Sequence, residues 1–340
     1  MIRPDIEAIP PYLPGTRNDS ALKLSSNESS EEPLPAAAQA MVSAARGANR
    51  YPDMFAVELR ETLAEHLGVS CEEIAVGNGS SALLQQLVQA TCTTDNNVIY
   101  AWRSFEAYPI FLQVVGAQPR PVPVTRDGKH DLDRMASLID ASTSLVFLCT
   151  PNNPSGQVIT NAEFDEFMSK VPAHVTVALD EAYFEYNRDE DAVEGTDAIA
   201  RYPNVVGLRT FSKAYGLAGV RVGYAFGPRD IITALNAVAI PFQVSAVAQA
   251  GALASLEATD AMRARTDETV TVRDEVADHI QAARTQANFV WLAGVDAQRI
   301  SAELAAHGVL TRAFPEGLRV TVTNRAEAEK FMRAWDAVQG

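Results

Sequence analysis

The amino-acid sequence predicts an α/β protein with a mostly parallel β-sheet, and three observations lead to that fold class. Two near-continuous apolar runs, at residues 145–150 and 175–179, have the composition of parallel strands that are buried on both faces. Segments with helical periodicity alternate with such runs, which is typical of βαβ units. Polar residues follow each run, as expected where the carboxyl ends of parallel strands form a ligand site.

Composition supports a globular chain of more than one domain. With 340 residues, 47% of them hydrophobic and 21% charged, the chain can bury a sizeable core. We expect an N-terminal arm over residues 1–30, a large domain over residues 31–250 and a smaller α+β domain over residues 251–340.

Charge and cysteine usage exclude several classes of protein. The formal charge of −15, from 43 acidic and 28 basic residues without a Lys/Arg-rich run, argues against nucleic acid and anionic membranes as partners. Because the N-terminus lacks an apolar signal core and no run approaches ~18 apolar residues, we expect a cytoplasmic protein. Three scattered cysteines, Cys71, Cys92 and Cys149, lack a Cys-x-x-Cys pair, so they predict buried free thiols and no metal or redox site.

The first elements read as an arm, a helix, a turn and a second helix. Four prolines in residues 1–30 predict an extended arm, on which Tyr12 and Asn27 are candidate functional residues. For Asn27, a loop residue that forms its own Asx-turn is an equal alternative. Residues 35–46 predict a helix, residues 49–53 a turn that carries Tyr51, and apolar positions 55, 59, 63 and 67 a helical stripe that ends at Gly68.

A short strand, a glycine-rich turn and a helix come next. After residues 74–76, Gly77 and Gly79 precede Ser80, Ser81 and an apolar helix face. Free amides and the positive end of a helix dipole would converge there on an anion. A dinucleotide site is a weaker alternative, because the next strand ends in Trp-Arg where an acid would hold a ribose. Ser80 is equally explained as an N-cap.

Candidate residues follow the next strands in order. Residues 98–101 lead to Phe105, residues 120–124 have the prolines of an edge strand, and residues 131–139 predict a short helix. The two central apolar runs lead to Asn153 and to Asp180 with Tyr183. A carboxylate at the end of an apolar strand is costly unless it is paired. The simpler alternatives are a core aromatic for Phe105, a turn asparagine for Asn153 and a helix N-cap for Asp180.

Residues 205–227 predict a strand, a loop and a strand, with strands at 205–208 and 220–226. Lys213 lies in the loop beside Ser212, among glycines and aromatic residues. Burial would lower the pKa of this lysine and free its neutral amine to attack a carbonyl carbon. Taken alone, the residue is more simply explained as a surface lysine that lies over a turn.

The C-terminal third predicts mainly helices and one strand pair. Residues 231–240 and 245–283 are helical, with a break near Thr259, and residues 288–292 form a strand. A helix over 297–307 ends at Gly308, strands at 309–312 and 318–323 pair, and a last helix runs to about residue 338. Arg312 and Arg319 lie on that pair, where a guanidinium is suited to clamp a carboxylate or phosphate. The exposed face of a strand is the alternative.

Thr210, Ser212, Lys213 and Arg221 together resemble the cofactor-lysine signature of the fold-type I pyridoxal phosphate aminotransferases. The intact stretch from Thr210 to Arg221 is similar to the histidinol-phosphate aminotransferase subfamily. This resemblance implies a seven-stranded sheet in a large cofactor domain, with Lys213 bound to pyridoxal 5′-phosphate as a Schiff base. It also assigns the cofactor phosphate to Ser80, Ser81, Ser212 and Arg221, the ring to Phe105, Asn153, Asp180 and Tyr183, and the substrate to Asn27 and Arg319. Tyr12 and Arg312 are further candidate substrate residues. Tyr51 would cross a homodimer interface to the cofactor phosphate of the neighbouring subunit.

The expected substrate depends on short stretches of the chain that resemble one branch of the family. Asn27 and Glu28 match a family segment, but the chain continues with serines where the family has Asn-Pro-aromatic-Gly. The stretches at residues 49–53 and 102–109 look like the aromatic amino acid (phenylalanine) aminotransferase branch. The connection between Arg312 and Arg319 would also place Phe314 and an acid near the pocket. We therefore expect an aminotransferase that acts on an aromatic amino acid (phenylalanine, tyrosine or tryptophan) and a 2-oxo acid, with histidinol-phosphate aminotransferase as the alternative.

Two further hypotheses use the same fold. A non-catalytic regulator lacks support, because the chain has no DNA-binding extension and an opposing charge. A decarboxylase would release carbon dioxide without forming a keto acid.

Overall fold

The computed structural model describes residues 20–339 and, within the first 19 residues, Ile2, Pro4–Glu7, Ile9 and Asn18. Its strands are β1 Leu22–Lys23, β2 Ile74–Gly77, β3 Asn97–Trp102, β4 Gln118–Pro123, β5 Thr143–Cys149, β6 Thr176–Asp180, β7 Val205–Thr210, β8 Gly223–Phe226, β9 Phe289–Ala293, β10 Val309–Leu310, β11 Arg312–Phe314 and β12 Gly317–Thr321. Its helices are α1 Pro4–Glu7, α2 Pro35–Ala45, α3 Val57–Leu67, α4 Ser80–Thr91, α5 Tyr108–Val115, α6 Leu132–Ser137, α7 Asn161–Met168, α8 Gly195–Arg201, α9 Arg229–Val238, α10 Ala246–Glu257, α11 Thr259–His279, α12 Ala297–Ala306 and α13 Arg325–Gln339.

The large sheet has seven strands in the order β2-β8-β7-β6-β5-β3-β4. The five strands from β7 to β4 are parallel, and β8 runs antiparallel to both of its neighbours, β7 and β2. This confirms the predicted α/β class and the mostly parallel seven-stranded sheet. The proline-rich strand β4 lies at the edge, as predicted, because proline cannot donate to a second neighbour.

Helices cover both faces of this sheet, which explains the unbroken apolar runs in the sequence. Along β5, Leu145 and Phe147 pack with side chains of α4, α5 and α9. Val146 and Leu148 point the other way and pack with side chains of α6, α7 and α8. Alternate residues of one strand therefore enter two different cores.

A smaller antiparallel sheet, β11-β12-β9, packs with α11, α12 and α13 in the C-terminal part of the chain. The segment after residue 20 joins it, because β1 pairs with β10 in parallel and Leu24 enters the same core. Within the described part of the chain, none of the helices combines the length and the apolar character needed to cross a membrane. The predicted domain boundaries at residues 30 and 250 stay predictions.

Three predicted elements need correction. The strand predicted at 220–226 begins at Gly223, because Arg221 has a positive φ of 61°, which interrupts extended backbone. The segment predicted at 309–312 is split: Val309–Leu310 pairs with β1, and only β11 pairs with β12. The arm is not wholly extended, since Pro4–Glu7 is helical.

Two smaller predictions also fail in part. Helix α3 begins at Val57, so Phe55 precedes it and is exposed. Cys92 and Cys149 are buried free thiols, but Cys71 is only half-buried.

Candidate active site

A cavity of about 380 Å³ opens at the carboxyl ends of the parallel strands. All but two of the predicted site residues line it: Asn27, Ser80, Ser81, Phe105, Asn153, Asp180, Tyr183, Ser212, Lys213, Arg221, Arg312 and Arg319. Tyr12 lies outside the described residues. Tyr51 does not reach this cavity; its side chain is 82% exposed and stacks on Phe242 at 4.6 Å between ring centroids.

Lys213 lies in the loop between β7 and β8, which closes on itself. Phe211 N–H donates to the Val222 carbonyl, and Leu217 N–H donates to the Phe211 carbonyl. The Lys213 Nζ donates to the Ser26 carbonyl at 3.4 Å. Burial lowers the pKa of this amine to about 8, and the nearby positive charges of Arg319 and Arg221 act in the same direction. A minority of Lys213 is therefore neutral and nucleophilic at pH 7, and about half of it is at pH 8.

Asp180 is the last residue of β6 and is almost fully buried. The Tyr108 hydroxyl donates to its Oδ2 at 2.7 Å, whereas Oδ1 has no hydrogen-bond partner among the described residues. Burial raises the pKa of Asp180 to about 6, and the Tyr108 hydrogen bond opposes that rise. The open oxygen is suited to a cationic N–H group in the cavity, which favours a ligand role over the N-cap alternative.

Ser80, Ser81, Ser212 and Arg221 form the polar end of the cavity. The Ser212 hydroxyl accepts from Thr210 Oγ1 at 3.0 Å and from Arg221 Nη1 at 3.2 Å. Gly79, not Ser80, is the N-cap residue of α4, so the N-cap explanation of Ser80 is wrong. The 12-residue helix α4 begins beside the two serines, and its first amides and dipole add positive potential there.

Two glycines keep this polar end open. A Cβ on Gly79 would lie 2.4 Å from Arg221 Nη2, and a Cβ on Gly223 would lie 2.4 Å from the Ser80 amide nitrogen. Any side chain at these positions would fill the space beside the donors. The arrangement therefore forms a cradle for an anion of the size of a phosphate.

Asn153, Arg319, Tyr183 and Asn27 join the two sheets across the cavity. Arg319 donates from Nη1 to Asn153 Oδ1 at 2.5 Å and from Nη2 to the Ser25 carbonyl at 2.7 Å. Asn27 Nδ2 donates to the Tyr183 hydroxyl at 2.9 Å. Asn27 also exchanges hydrogen bonds with Thr321 on β12, so it is a buried bridge between elements and not a self-contained Asx-turn.

The acid near the substrate end is not the predicted one. Glu316, between Arg312 and Arg319 in sequence, bonds to Arg103 and lies outside this cavity. Phe314 is buried and does not line the cavity. The acid that lines the cavity beside Arg312 is Glu106, which accepts from Arg312 Nη2 at 3.0 Å.

Tyr108 and Glu106 are therefore the residues that sequence reasoning missed. Both lie in the segment after β3 that also contains Phe105. The sequence contains a weak indication for Tyr108, because a tyrosine that begins an apolar helix near a strand end can donate a hydrogen bond to a buried carboxylate. Glu106 carried no local signal, since its partner is about 200 residues away in the chain.

The donor set fits one kind of group: a flat ring with an aldehyde, a basic ring nitrogen and a phosphate. Lys213 offers a reactive amine, the free oxygen of Asp180 can pair with a protonated ring nitrogen, and the cradle can hold a phosphate. Phe105 lines the same cavity with an aromatic ring that packs edge-on against Tyr108. This is the chemistry of pyridoxal phosphate.

Comparisons with known proteins agree with this assignment. A family model described as aminotransferase class I and II matches residues 19–334. The chain is 63% identical to a protein of Corynebacterium diphtheriae and 60% identical to one of Corynebacterium glutamicum, each named aromatic amino acid aminotransferase, over 99% of both chains. The crystal structure of histidinol-phosphate aminotransferase from Sinorhizobium meliloti in complex with pyridoxal-5′-phosphate superposes with a TM-score of 0.90, at 27% identity, over 99% of this chain and 97% of that one.

Proposed function

We propose, because the chain belongs to the aminotransferase class I and II family, that it transfers an amino group between an aromatic amino acid and a 2-oxo acid. The enzyme is a transaminase that depends on pyridoxal 5′-phosphate. The observation that carries the reaction is that Lys213 and the open oxygen of Asp180 meet in one buried cavity. The substrate rests on relatives 60–63% identical, which are named aromatic amino acid aminotransferases.

Each cavity residue has a role that its surroundings support. Lys213 would hold the aldehyde carbon of the cofactor, and Ser80, Ser81, Ser212 and Arg221 would hold its phosphate. Asp180 would pair with the ring nitrogen, Asn153 and Tyr183 with the ring oxygen, and Phe105 would pack on the ring face. When bound, pyridoxal phosphate supplies an electron-withdrawing ring that stabilises negative charge at the substrate.

The chain's own groups then position the substrate and move its proton. Arg319 can bind the α-carboxylate, because a guanidinium offers paired donors that match two carboxylate oxygens. Asn27 would border the same end of the cavity, and Tyr12 remains a predicted substrate residue. The free Lys213 Nζ would take the proton from the α-carbon, and its lowered pKa makes it a suitable base near neutral pH.

Steady-state assays of the purified enzyme test the substrate assignment. We expect kcat/KM for phenylalanine or phenylpyruvate to exceed that for histidinol phosphate by at least about a hundredfold, the discrimination that selective pockets reach. A preference for histidinol phosphate would instead assign the chain to the alternative activity. Lys213→Ala should abolish transamination, whereas Lys170→Ala, a variant of an exposed lysine, should retain it.

We further propose a homodimer. Apart from Ile2, the exposed large apolar side chains of the described residues lie in the segments 42–57 and 238–242. The stacked rings of Tyr51 and Phe242 bring these segments together. Such a patch favours burial against a second copy, with Tyr51 reaching the partner's cofactor phosphate. A cytoplasmic location stays a prediction from the sequence.

A further inference from the structure

Two ion pairs join two segments of the chain beside the active-site cavity. The segment after β3 carries Arg103 and Glu106, and the hairpin of β11 and β12 carries Arg312 and Glu316. Arg312 Nη2 donates to Glu106 Oε2 at 3.0 Å. Arg103 donates from Nε and Nη2 to the two carboxylate oxygens of Glu316 at 2.9 and 3.0 Å. Each segment thus contributes one arginine and one glutamate.

The two ion pairs differ in what they face. Glu106 and Arg312 line the active-site cavity, together with Arg319. Arg103 and Glu316 line a separate cavity, which does not include Glu106 or Arg312. Only the Glu106–Arg312 pair can therefore act directly on a bound substrate, and the Arg103–Glu316 pair is a natural internal control.

Arg312 and Arg319 are directly opposite each other in the antiparallel register of β11 and β12. Opposite residues of an antiparallel pair project from the same face of the sheet, so the two guanidinium groups are neighbours at the cavity wall. Two adjacent arginines would attract a ligand with two anionic groups, such as a dicarboxylate or a phosphorylated amino acid. Glu106 offsets one of those two charges.

The other charged residues of the cavity do not restore the attraction for a ligand with a second anionic group. Under the proposed function, Lys213, Arg221 and Asp180 serve the cofactor, and Arg319 serves the substrate α-carboxylate. Glu28 adds a further acid at the cavity wall, although Lys23 bonds to it at 2.6 Å. The space left for the substrate side chain is consequently neutral to acidic.

We propose that Glu106 is a specificity-determining residue: by pairing with Arg312 it makes the site reject substrates that carry a second negative charge on the side chain. This inference rests on the proposed function and deepens it. An uncharged ring leaves the Glu106–Arg312 pair undisturbed. A side-chain carboxylate or phosphate meets the carboxylate of Glu106 and gains no net attraction from Arg312.

The test compares two unreactive ligands of the pyridoxal phosphate holoenzyme, 3-phenylpropionate and 3-(4-carboxyphenyl)propionate, which differ by one carboxylate. Calorimetry gives the ratio of their Kd values, and phenylalanine and glutamate as amino donors give the matching ratio of kcat/KM. We expect Glu106→Gln to shift both ratios toward the dianion by at least about tenfold, because it removes a close like charge. The double variant Glu106→Gln/Arg312→Gln should lose this gain, since the released arginine supplies it.

Glu316→Gln is the matched control, because it breaks the other ion pair between the same two segments without changing a charge in the cavity. Unchanged ratios in Glu106→Gln would overturn the inference, and so would an equal shift in Glu316→Gln, which would trace the effect to loosened segments. If Glu106→Gln does not fold, Arg312→Gln replaces it. Arg312→Gln should bind the dianion more weakly than the wild-type enzyme does, because it leaves Glu106 unpaired. A rise in dianion affinity would overturn the inference. A wild-type enzyme without activity toward aromatic amino acids would contradict the proposed function instead.

Discussion

Lys213 is half-buried and Asp180 is buried, and the pKa values of these two ionisable residues move toward neutral pH from opposite sides. Burial lowers the pKa of the amine to about 8 and raises that of the carboxyl to about 6. Their immediate neighbours adjust both values, so single substitutions next to them should have effects of known sign. Neither shift follows from the sequence alone, because each depends on side chains brought in from other elements.

The charges around Lys213 predict opposite shifts for two variants of the cofactor-free protein. Arg319→Gln removes a positive neighbour and should raise the pKa of Lys213, whereas Glu28→Gln removes a negative neighbour and should lower it. Since the neutral amine is the reactive form, the rate of cofactor capture should be half-maximal near pH 8 in the wild type. That midpoint should move up in the first variant and down in the second, as measured by stopped-flow absorbance. Shifts in the same direction would contradict this electrostatic account.

The same lysine affects stability in a defined pH window. In the unfolded chain its pKa returns to about 10.5, so between about pH 8 and 10.5 the unfolded state binds more protons than the folded state. The contribution of Lys213 to the stability of the cofactor-free protein therefore rises with pH across that window. At lower pH the folded state bears the cost of a buried ammonium group.

Tyr108→Phe should weaken cofactor binding. The variant removes the hydrogen bond to Asp180 Oδ2, so the pKa of the carboxyl should rise further above its ordinary value. A hydrogen bond to a charged group is worth about 1.5–3 kcal/mol, which corresponds to a loss of roughly tenfold or more in affinity. Absorbance titrations of the cofactor below and above pH 6 should show the larger loss at the lower pH.

Tyr100→Phe is the control for this prediction, because the Tyr100 ring packs edge-on against Tyr108 without bonding to the carboxylate. It should leave the Kd of the cofactor and its pH dependence unchanged. Equal losses in both variants would show that ring packing, and not the hydrogen bond, supports Asp180.

A buried ion pair joins β7 to the segment that follows β6, close to the two reactive residues. Arg209 on β7 donates from Nε to Glu181 Oε2 at 2.9 Å, directly after Asp180 ends β6, and both side chains are at most 4% exposed. Glu181 also accepts from the Gly195 amide, and the Arg209 guanidinium lies 3.3 Å from the centre of the Phe184 ring. The pair fixes the loop that carries Tyr183 relative to the loop that carries Lys213.

Breaking this pair should be costly. Arg209→Met leaves the Glu181 carboxylate buried and without its positively charged partner, and we expect a loss of about 3–5 kcal/mol in the free energy of unfolding. Arg201→Met, which breaks the half-exposed pair with Asp165, should cost about 1 kcal/mol or less. Urea unfolding of both variants measures the difference. Similar losses would contradict the role of burial.

Some strands could be predicted from the sequence and others could not. The strands β5 and β6 were predicted because apolar runs of that length fit strands buried on both faces. The start of β8 was missed, since the positive φ of Arg221 is imposed by the closed loop and has no local signal. The β1–β10 pairing was missed for a related reason: a two-residue strand acquires its partner from tertiary contacts.

Some residues of the candidate active site could likewise be predicted from the sequence, and others could not. Residues at strand ends, such as Asn153 and Asp180, could be predicted because the topology brings those ends together and a family resemblance supplied their roles. The contacts of Tyr108 and Glu106 could not, because they depend on how the segment after β3 meets two other parts of the chain. Side-chain pairing across elements is a property of the packed fold.

Mixed dimers of two variants test whether each active site is shared between subunits. If Tyr51 serves the partner's cofactor, a mixed dimer of Tyr51→Ala and Lys213→Ala subunits contains one site with both residues intact. We expect such mixtures to recover up to about half of the wild-type activity per mixed dimer, because one of two sites is restored, although each variant alone has little. Mixing after mild denaturation and refolding, followed by a transamination assay, measures this recovery. Absence of recovery in dimers proven to be mixed would show that Tyr51 does not serve the partner's site.

Asn27 and Thr321 exchange two hydrogen bonds across a separation of 294 residues in the chain. During synthesis, Asn27 emerges long before Thr321, so the wall of the pocket that holds Tyr183 cannot close until the chain has been made as far as Thr321. A nascent or prematurely terminated polypeptide can complete the large sheet and still lack a competent pocket, which separates folding of the scaffold from the onset of activity.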